Sequence, residues 1–305
     1  MTRVAAVDCG TNSIRLLISE IQEDGKIRDI SRTMEIVRLG QGVDATGEFD
    51  PAALARTRAA LEEYVKQMKF EKVERVRMVA TSATRDAKNH REFFDMTAEL
   101  LGQVQPGARA EVISGEEEAL LSFTGAVADL SSEKGPYCVI DLGGGSTEFV
   151  VGTIEGEILG SHSAQMGCVR LTERMMRSDP PTEAEVEIAT DYVAERMADV
   201  EKIVPIDKAV TFVGCAGTFT TLSALAQGME RYDADSIHGS ELRFDALRVL
   251  TRQMIGLASD VRALNPVIHP GRADVIGGGC VAVEGIMTMI ERNSSARSVS
   301  YTHLR

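Results

Sequence analysis

Residues 137–153 read Tyr-Cys-Val-Ile-Asp-Leu-Gly-Gly-Gly-Ser-Thr-Glu-Phe-Val-Val-Gly-Thr. An apolar run that ends in Asp141, a glycine turn and a second β-rich run from Glu148 are typical of a strand-turn-strand unit. The three glycines lack a Cβ, so the main chain of the turn can approach a ligand closely. The N–H groups of the turn and the hydroxyls of Ser146 and Thr147 therefore predict a ring of donors around an anion.

Two acidic residues, Asp141 and Glu148, flank this turn. Carboxylates repel phosphate oxygens directly, so their placement favours a hard divalent cation such as Mg²⁺ between the protein and a phosphate. The alternative is a glycine-rich hairpin with two exposed acids, which would hold for most isolated Gly-Gly-Gly runs. The cation is favoured here because the pattern occurs twice.

The amino terminus repeats the pattern without a gap. When residues 7–18 are laid over residues 140–151, the aspartate, the first glycine and the serine fall on their counterparts: Asp8 on Asp141, Gly10 on Gly143 and Ser13 on Ser146. Two such units, far apart in the chain, predict two similar domains that each donate one loop to an interdomain cleft.

Composition fits a protein of this kind. The chain has 305 residues, of which 44% are hydrophobic and 26% charged, as in ordinary globular proteins with room for two cores. It has no apolar run of ~18 residues and no signal-like amino terminus, so neither a membrane nor secretion is expected. The five scattered cysteines suggest reduced thiols in a cytoplasmic protein.

The net charge of −13 argues against a nucleic-acid partner, because such affinity comes largely from basic residues. A polyanionic ligand must therefore be held locally, by loops, a metal and a few arginines. The sequence contains neither a Gly-x-x-x-x-Gly-Lys-Ser/Thr motif nor a Gly-x-Gly-x-x-Gly motif after a strand.

Local signals predict several further elements. Asp50-Pro51 starts a helix, and Thr182 with Glu185 forms a capping box for a long helix that ends near Val204. A strand at 76–80 leads into a polar turn with Arg85, which is either a phosphate clamp or an ordinary solvated arginine.

A glycine turn at 214–217 opens another helix and offers a further anion site, with Gly217 and Thr218 as contacts. The glycine run 277–279 precedes the last helix or serves tight helix packing.

The successive motifs at 8–16, 83–85, 114–119, 141–148, 166–170 and 214–218 resemble those of the exopolyphosphatase and guanosine pentaphosphate phosphatase (Ppx/GppA) family, in the family's order over nearly the whole chain. The chain looks most like the short, two-domain actinobacterial members. The resemblance implies an α/β fold of two actin-like, ribonuclease-H-type domains with an active-site cleft between them. It also implies attack of water on a terminal phosphoryl group with release of orthophosphate, dependent on Mg²⁺ or Mn²⁺.

Carried over by position, Glu118 resembles the catalytic base and Arg85 a phosphate clamp. The metal-side carboxylates are Asp141, Glu148 and Asp8. The residues expected to bind phosphate are Gly10, Thr11, Asn12, Ser13, Arg15, Gly143, Gly144, Gly145, Ser146, Thr147, Gly217 and Thr218.

The expected partner is inorganic polyphosphate or, as the alternative, guanosine pentaphosphate (pppGpp), and a homodimer is compatible with the resemblance. A sugar or acetate kinase, or a chaperone-type ATPase, of the same superfamily would need a nucleotide site that the sequence does not show clearly. A non-catalytic sensor of the alarmone or of polyphosphate is the alternative from a different class. The presence of every acidic candidate argues against a sensor.

Among the three consecutive glutamates at 116–118, Glu118 is the predicted base. Ser114 and Glu117 match a capping box, which gives Glu117 a structural role. Leu120, Phe123, Val127 and Leu130 recur on one face and are expected to form core, which leaves Glu118 on the opposite, exposed side, facing solvent or the cleft.

The domains are expected at 1–123 and 124–298. Residues 299–305 continue no predicted element and match the translation of a common transposase library adapter. We therefore expect the natural terminus to be missing.

Overall fold

Both glycine turns of the sequence lie at the carboxyl end of a central strand, each in its own β-sheet. A computed structural model describes residues 1–301. The chain folds as two units, of which the first spans Met1–Ser114 and the second begins at Gly115. No helix within residues 1–301 is long and apolar enough to cross a membrane.

The first unit is one sheet with helices packed on it. Its elements are β1 (Thr2–Cys9), β2 (Ser13–Ile21), β3 (Ile27–Ile36), α1 (Val43–Thr46), α2 (Pro51–Phe70), β4 (Arg75–Ala80), α3 (Ser82–Asp86), α4 (His90–Leu101) and β5 (Ala110–Val112). The strand order is β3-β2-β1-β4-β5, in which β1 to β3 are antiparallel and β4 and β5 run parallel to β1. Alternate residues of the central strands, such as Val7, Ile14 and Leu16, face the core.

The second unit is larger. Its elements are α5 (Gly115–Val127), β6 (Tyr137–Leu142), β7 (Thr147–Gly152), β8 (Ile158–Ala164), α6 (Cys168–Met175), α7 (Glu183–Ile203), β9 (Thr211–Cys215), α8 (Ala216–Ala226), α9 (Ala234–Ile237), β10 (Glu241–Arg243), α10 (Phe244–Gly256), α11 (Ser259–Ala263), α12 (Ile276–Asn293) and β11 (Ser298–Tyr301). The sheet order is β10-β11-β9-β6-β7-β8. Both faces of β6 and β7 are buried, one against α5 and the other in the main core of the unit.

The two sheets share one topology. The order β8-β7-β6-β9-β11 reproduces β3-β2-β1-β4-β5 with the same strand directions, and β10 adds one antiparallel strand at the edge. The turns after β1 and β6 are closed in the same way, because Gly10 N–H donates to Ser13 O and Gly143 N–H to Ser146 O, both at 3.0 Å. The predicted internal repeat and the actin-like, ribonuclease-H-type fold class are confirmed.

The boundary between the units lies at Gly115, nine residues before the expected position at 123/124. The reason is the packing of α5, which buries Ala119 and Phe123 against Val139 and Val150 of the second sheet. The helix therefore belongs to the second unit in its entirety.

The segment 299–301 is part of the fold and not a detached tail. Within β11, Val299 and Tyr301 are 1% and 0% exposed, and the strand pairs with β9 and β10. The expected origin of residues 299–305 in a library adapter stays a prediction, and residues 302–305 lie outside the described residues.

The helix signals read from the sequence are confirmed where they are local. Asp50 caps α2 by accepting from Ala52 N–H and Ala53 N–H, and Thr182 with Glu185 forms a capping box on α7. The glycine run 277–279 lies inside α12, where a Cβ on Gly278 would come within 2.6 Å of Thr172 of α6. Close helix packing is therefore the role of that run.

Candidate active site

Asp141 and Glu148 are register partners across the β6–β7 pair, directly beside the glycine turn that joins the two strands. Asp141 is 9% exposed and Glu148 is 1% exposed. Because side chains alternate along a strand, Glu148 and Val150 face α5, while Thr147 and Phe149 lie on the other face. Two acids are thus held side by side under α5, largely out of contact with water.

Two serine hydroxyls hold these acids. Ser122 Oγ of α5 donates to Asp141 Oδ2 at 2.5 Å, and Ser163 Oγ of β8 donates to Glu148 Oε1 at 2.8 Å. Hydrogen bonds to an ionised acceptor are stronger than neutral ones and fix the orientation of the acceptor. Each carboxylate is therefore held by a serine hydroxyl of another element, and Ser146 adds a further hydrogen bond to Glu148.

The pKa of Glu148 is raised well above its ordinary value, chiefly because burial removes water from the carboxylate. The negative charges of Glu118 and Asp141 raise it further, and hydrogen bonds from Ser146 and Ser163 oppose the rise. Three acids close enough to repel one another form a local excess of negative charge that a cation would relieve.

Glu118 belongs to this group through α5. The residues of α5 that pack on the sheet include Ala119, Phe123 and Val127, whereas Leu120 is 42% exposed. The expectation that Leu120 forms core is wrong, because small residues let the helix approach the sheet and leave the leucine outside. Since Glu118 lies nearly opposite Leu120 around the helix, it turns towards the acids.

Glu118 and Ser122 are one helical turn apart, so they share one side of α5. Glu118 is half-buried, whereas Glu116 is exposed. Ser114 immediately precedes the helix, in the position that the predicted capping box with Glu117 requires. The two hydrogen bonds of that box stay a prediction.

The glycine turn exposes donors on one side only. Its carbonyl oxygens accept from the start of α6 in four hydrogen bonds: Gly143 O from Cys168 N, Gly144 O from Val169 N and Arg170 N, and Gly145 O from Arg170 Nε, at 2.7–3.1 Å. Because a peptide unit is planar and trans, the N–H groups of Gly144, Gly145 and Ser146 point away from α6. This arrangement provides a row of N–H groups that suits a phosphate.

Gly167 makes the close contact between α6 and this turn possible. A Cβ at this position would lie 2.4 Å from the carbonyl carbon of Gly144, a distance that real atoms do not adopt. Similar hydrogen bonds hold the turn of the first unit, since its Asn12 O accepts from Val37 N and Arg38 N at 3.1 and 2.9 Å. The segment that follows the third strand thus fixes the turn in each unit.

Thr147 has a structural role in place of the expected one. It is fully buried, and its hydroxyl donates to Met166 O at 2.7 Å on the side of the sheet opposite Ser146 and Glu148. A hydroxyl has one proton to donate, so the Thr147 side chain does not join the row of donors.

Gly217 and Thr218 open α8 directly after β9. A Cβ on Gly217 would lie 2.2 Å from Arg272 Nη1, so the Arg272 guanidinium covers the first turn of the helix. Thr218 is 5% exposed, packs against Gly279 and hydrogen-bonds the Cys168 thiol. The structure therefore gives Thr218 a packing role and leaves Gly217, beside Arg272, as the candidate anion contact.

In the first unit, Arg15 takes the register position that Glu148 has in the second. Asp8 Oδ2 lies 3.9 Å from Arg15 Nη1, and the Asp8 side chain is 47% exposed. A basic partner replaces the second acid, so Asp8 is a weaker metal candidate than Asp141. Arg15 and the turn that contains Gly10, Thr11, Asn12 and Ser13 suit phosphate instead.

Arg85 lies in α3, which follows β4 at the carboxyl edge of the first sheet. Its Nη1 donates to Ile113 O at 2.9 Å, and the residue is half-buried. The backbone carbonyl anchors the guanidinium, which is suited to a fixed phosphate clamp.

The acid pair fits a divalent cation that is shared with a substrate. No group of three or more His, Cys, Asp and Glu side chains within residues 1–301 is arranged as a metal site by itself. Mg²⁺, however, is commonly held by one or two carboxylates together with substrate phosphates and water. Asp141 and Glu148 supply that number of carboxylates.

The cysteines do not provide a second catalytic chemistry. All five are free and buried, and burial raises the pKa of Cys168 to about 11 even though the Arg272 guanidinium favours its thiolate. A thiol with such a pKa is not a nucleophile at neutral pH.

Sequence reasoning assigned no role to Ser122, Ser163, Arg170 and Arg272. Ser122 could have been found from its helical spacing to Glu118, and Arg170 from its place in the motif at 166–170. The other two depend on contacts between elements that are distant in sequence, which no local pattern reports.

Comparisons with known proteins show the family of the chain. The family model of the Ppx/GppA phosphatase family matches residues 17–303. Exopolyphosphatase 2 of Mycobacterium tuberculosis is 55% identical over 93% of this chain and 89% of its own length.

A guanosine-5'-triphosphate,3'-diphosphate pyrophosphatase of Vibrio cholerae is 32% identical over 74% of this chain and 44% of its own length. Among solved structures, that of an exopolyphosphatase-like protein superimposes with a TM-score of 0.92 at 36% identity, covering 99% of this chain and 95% of the other. The chain therefore belongs to the Ppx/GppA phosphatase family.

Proposed function

We propose that this protein is an exopolyphosphatase, which removes the terminal phosphate of inorganic polyphosphate by hydrolysis. The observation that carries the proposal is the group of Glu118, Asp141 and Glu148 beside a row of N–H groups, in a chain 55% identical to an exopolyphosphatase. Five free, buried thiols support a role in the cytoplasm.

The proposed reaction is an attack of water on the terminal phosphorus. Glu118 accepts a proton from the attacking water, and the bond from phosphorus to the bridging oxygen breaks. The products are orthophosphate and a chain shorter by one phosphate, which keeps the electron pair of the broken bond. The N–H groups of Gly144, Gly145 and Ser146 stabilise the charge on the transferred oxygens.

Asp141 and Glu148 are the proposed ligands of a divalent cation, Mg²⁺ or Mn²⁺. When bound, the cation would neutralise charge on the phosphate oxygens. The protein contributes the orientation of the two carboxylates and a low exposure to water, both of which strengthen electrostatic interactions at the site.

Gly217 is a further proposed phosphate contact of the second unit. Taken by itself, the first unit offers the turn 10–13, Arg15 and Arg85 as candidate phosphate contacts. Main-chain N–H groups and guanidinium groups are the donors that suit phosphate oxygens. None of these contacts selects a nucleobase, which suits a substrate that contains no nucleobase.

Hydrolysis of pppGpp at its 5' end is the second candidate. The relative from Vibrio cholerae, whose name describes action on guanosine-5'-triphosphate,3'-diphosphate, favours it. The terminal bond is a phosphoanhydride in both substrates, so the same residues would serve.

Release of orthophosphate from polyphosphate, pppGpp and ATP, each with Mg²⁺ and each with a chelator, tests the proposal. We expect polyphosphate to give the highest kcat/KM and the chelator to abolish release. A preference for pppGpp would select the second candidate. Binding without release from any of the three would indicate a sensor and contradict both.

A further inference from the structure

Two serines from different elements, Ser122 and Ser163, each hold one carboxylate of the acid pair. Ser122 is 7% exposed and donates to Asp141, which is 9% exposed, at 2.5 Å. Ser163 donates at 2.8 Å to Glu148, which is 1% exposed. Neither serine belongs to the glycine turn or to the row of donors proposed for phosphate.

The two acids repel each other when both are charged. Asp141 and Glu148 occupy opposite positions on neighbouring strands, where like charges repel. A donated hydrogen bond offsets part of that repulsion and directs one oxygen of each carboxylate towards the serine. The serine contacts thus fix the orientation of both carboxylates.

The same hydroxyls connect the acid pair to α5. Ser122 lies one turn after Glu118, so the helix that carries the proposed base also holds Asp141. At the start of the helix, a Cβ on Gly115 would come within 2.6 Å of Ser163 Cβ, so α5 and β8 are in tight contact there. A shift of α5 would therefore move both serine contacts together with Glu118.

We propose that Ser122 and Ser163 are positioning residues that set the affinity of the acid pair for a divalent cation. This inference rests on the proposed function, because it assigns the cation to Asp141 and Glu148. The serines do not contact the cation. They hold the carboxylates in the orientation that binds the cation. Removal of residues in that role typically weakens metal binding by about 10- to 100-fold.

Binding of Mn²⁺ alone to the full chain, followed by isothermal titration calorimetry, tests the proposal. Ser122→Ala and Ser163→Ala should each raise the Kd for Mn²⁺ by about 10- to 100-fold. Ser122→Thr keeps a hydroxyl and should restore most of the affinity. Asp141→Asn lacks one proposed ligand of the cation, so its binding of Mn²⁺ measures the other acidic sites. That binding is subtracted from the binding of every other variant.

Ser223→Ala is the matched control. Ser223 is fully buried in α8 of the same unit, and its hydroxyl hydrogen-bonds Ser240 away from the acids. If the two serines only stabilise the fold, their alanine variants will match Ser223→Ala in lowering Tm and will keep the Kd of the wild type. That result would overturn the inference and leave the proposed function intact.

Binding of Mn²⁺ to the wild type tests the assignment of the cation separately from the role of the serines. If it binds Mn²⁺ no better than Asp141→Asn does, the assignment of the cation to the acid pair is wrong, and the role of the serines falls with it. If the wild type binds Mn²⁺ and Ser122→Thr binds it as weakly as Ser122→Ala does, loss of the hydroxyl is not the cause of the weaker binding.

Discussion

Glu148 is an acid placed where water cannot stabilise its charge. Burial first, and then the charges of Glu118 and Asp141, raise its pKa above the ordinary value of 4.5. A carboxyl with a raised native pKa binds its proton more tightly in the folded chain than in the unfolded one. Its contribution to stability is therefore complete below pH 4.5 and is lost as the pH rises through the native pKa.

Glu148→Gln should remove this pH dependence, because glutamine has nearly the same shape and no charge. With a chelator present, we expect the Tm of the wild type to fall relative to that of the variant as the pH rises above 4.5. Calorimetric scans of both proteins at a series of pH values measure the effect. Tm curves that run parallel would show that Glu148 carries no such strain.

Helices and strands were predictable from the sequence where their signals are local. The cap at Asp50-Pro51 and the capping box at 182–185 are found as expected, because both depend on residues within one turn. On α5 only Leu120 was wrongly assigned to the core, because the burial of the helix depends on small residues that face a sheet formed later in the chain, whereas Phe123, Val127 and Leu130 pack as expected. β10 and β11 were missed for a related reason, since their pairing joins residues far apart in sequence.

The residues of the candidate site were likewise predictable where they form a local motif and not where they depend on distant contacts. The acids and the glycine turn could be predicted, because they form one continuous motif from 141 to 148. The structural role of Thr147 and the hydrogen bond of Ser163 could not be predicted, because they depend on which face of a strand a side chain occupies.

The capping box of α7 offers a test of element stability. Thr182 Oγ1 accepts from Glu185 N–H at 3.3 Å, and Glu185 Oε2 accepts from Thr182 N–H at 2.8 Å. Thr182→Ala should lower Tm by about 2–4 °C, because one N–H of the first turn loses its acceptor. Thr190→Ala, on the exposed face of the same helix, should leave Tm unchanged or raise it slightly. Equal losses in both variants would argue against a specific effect of the box.

The whole molecule carries a net charge of −13, although its proposed substrate is a polyanion. The net charge provides no attraction for such a substrate, so we infer that binding depends on local donors and on the proposed cation. The two similar units each present a glycine turn fixed by the segment after its third strand. The acid pair and Glu118, however, belong to the second unit alone. Both units thus carry a turn that we propose binds phosphate, whereas the proposed catalytic acids belong to the second unit.

The most direct test of this account is the rate of orthophosphate release from polyphosphate by Glu118→Gln and Glu117→Gln. Glu118→Gln should lower kcat by roughly 10²–10⁴-fold with little change in KM, as expected when a general base is lost. Glu117→Gln should retain a kcat close to that of the wild type, because glutamine can also complete a capping box. Circular dichroism of both variants checks that each is folded. If Glu117→Gln lost activity and Glu118→Gln kept it, the assignment of the base and the active site built around it would be contradicted.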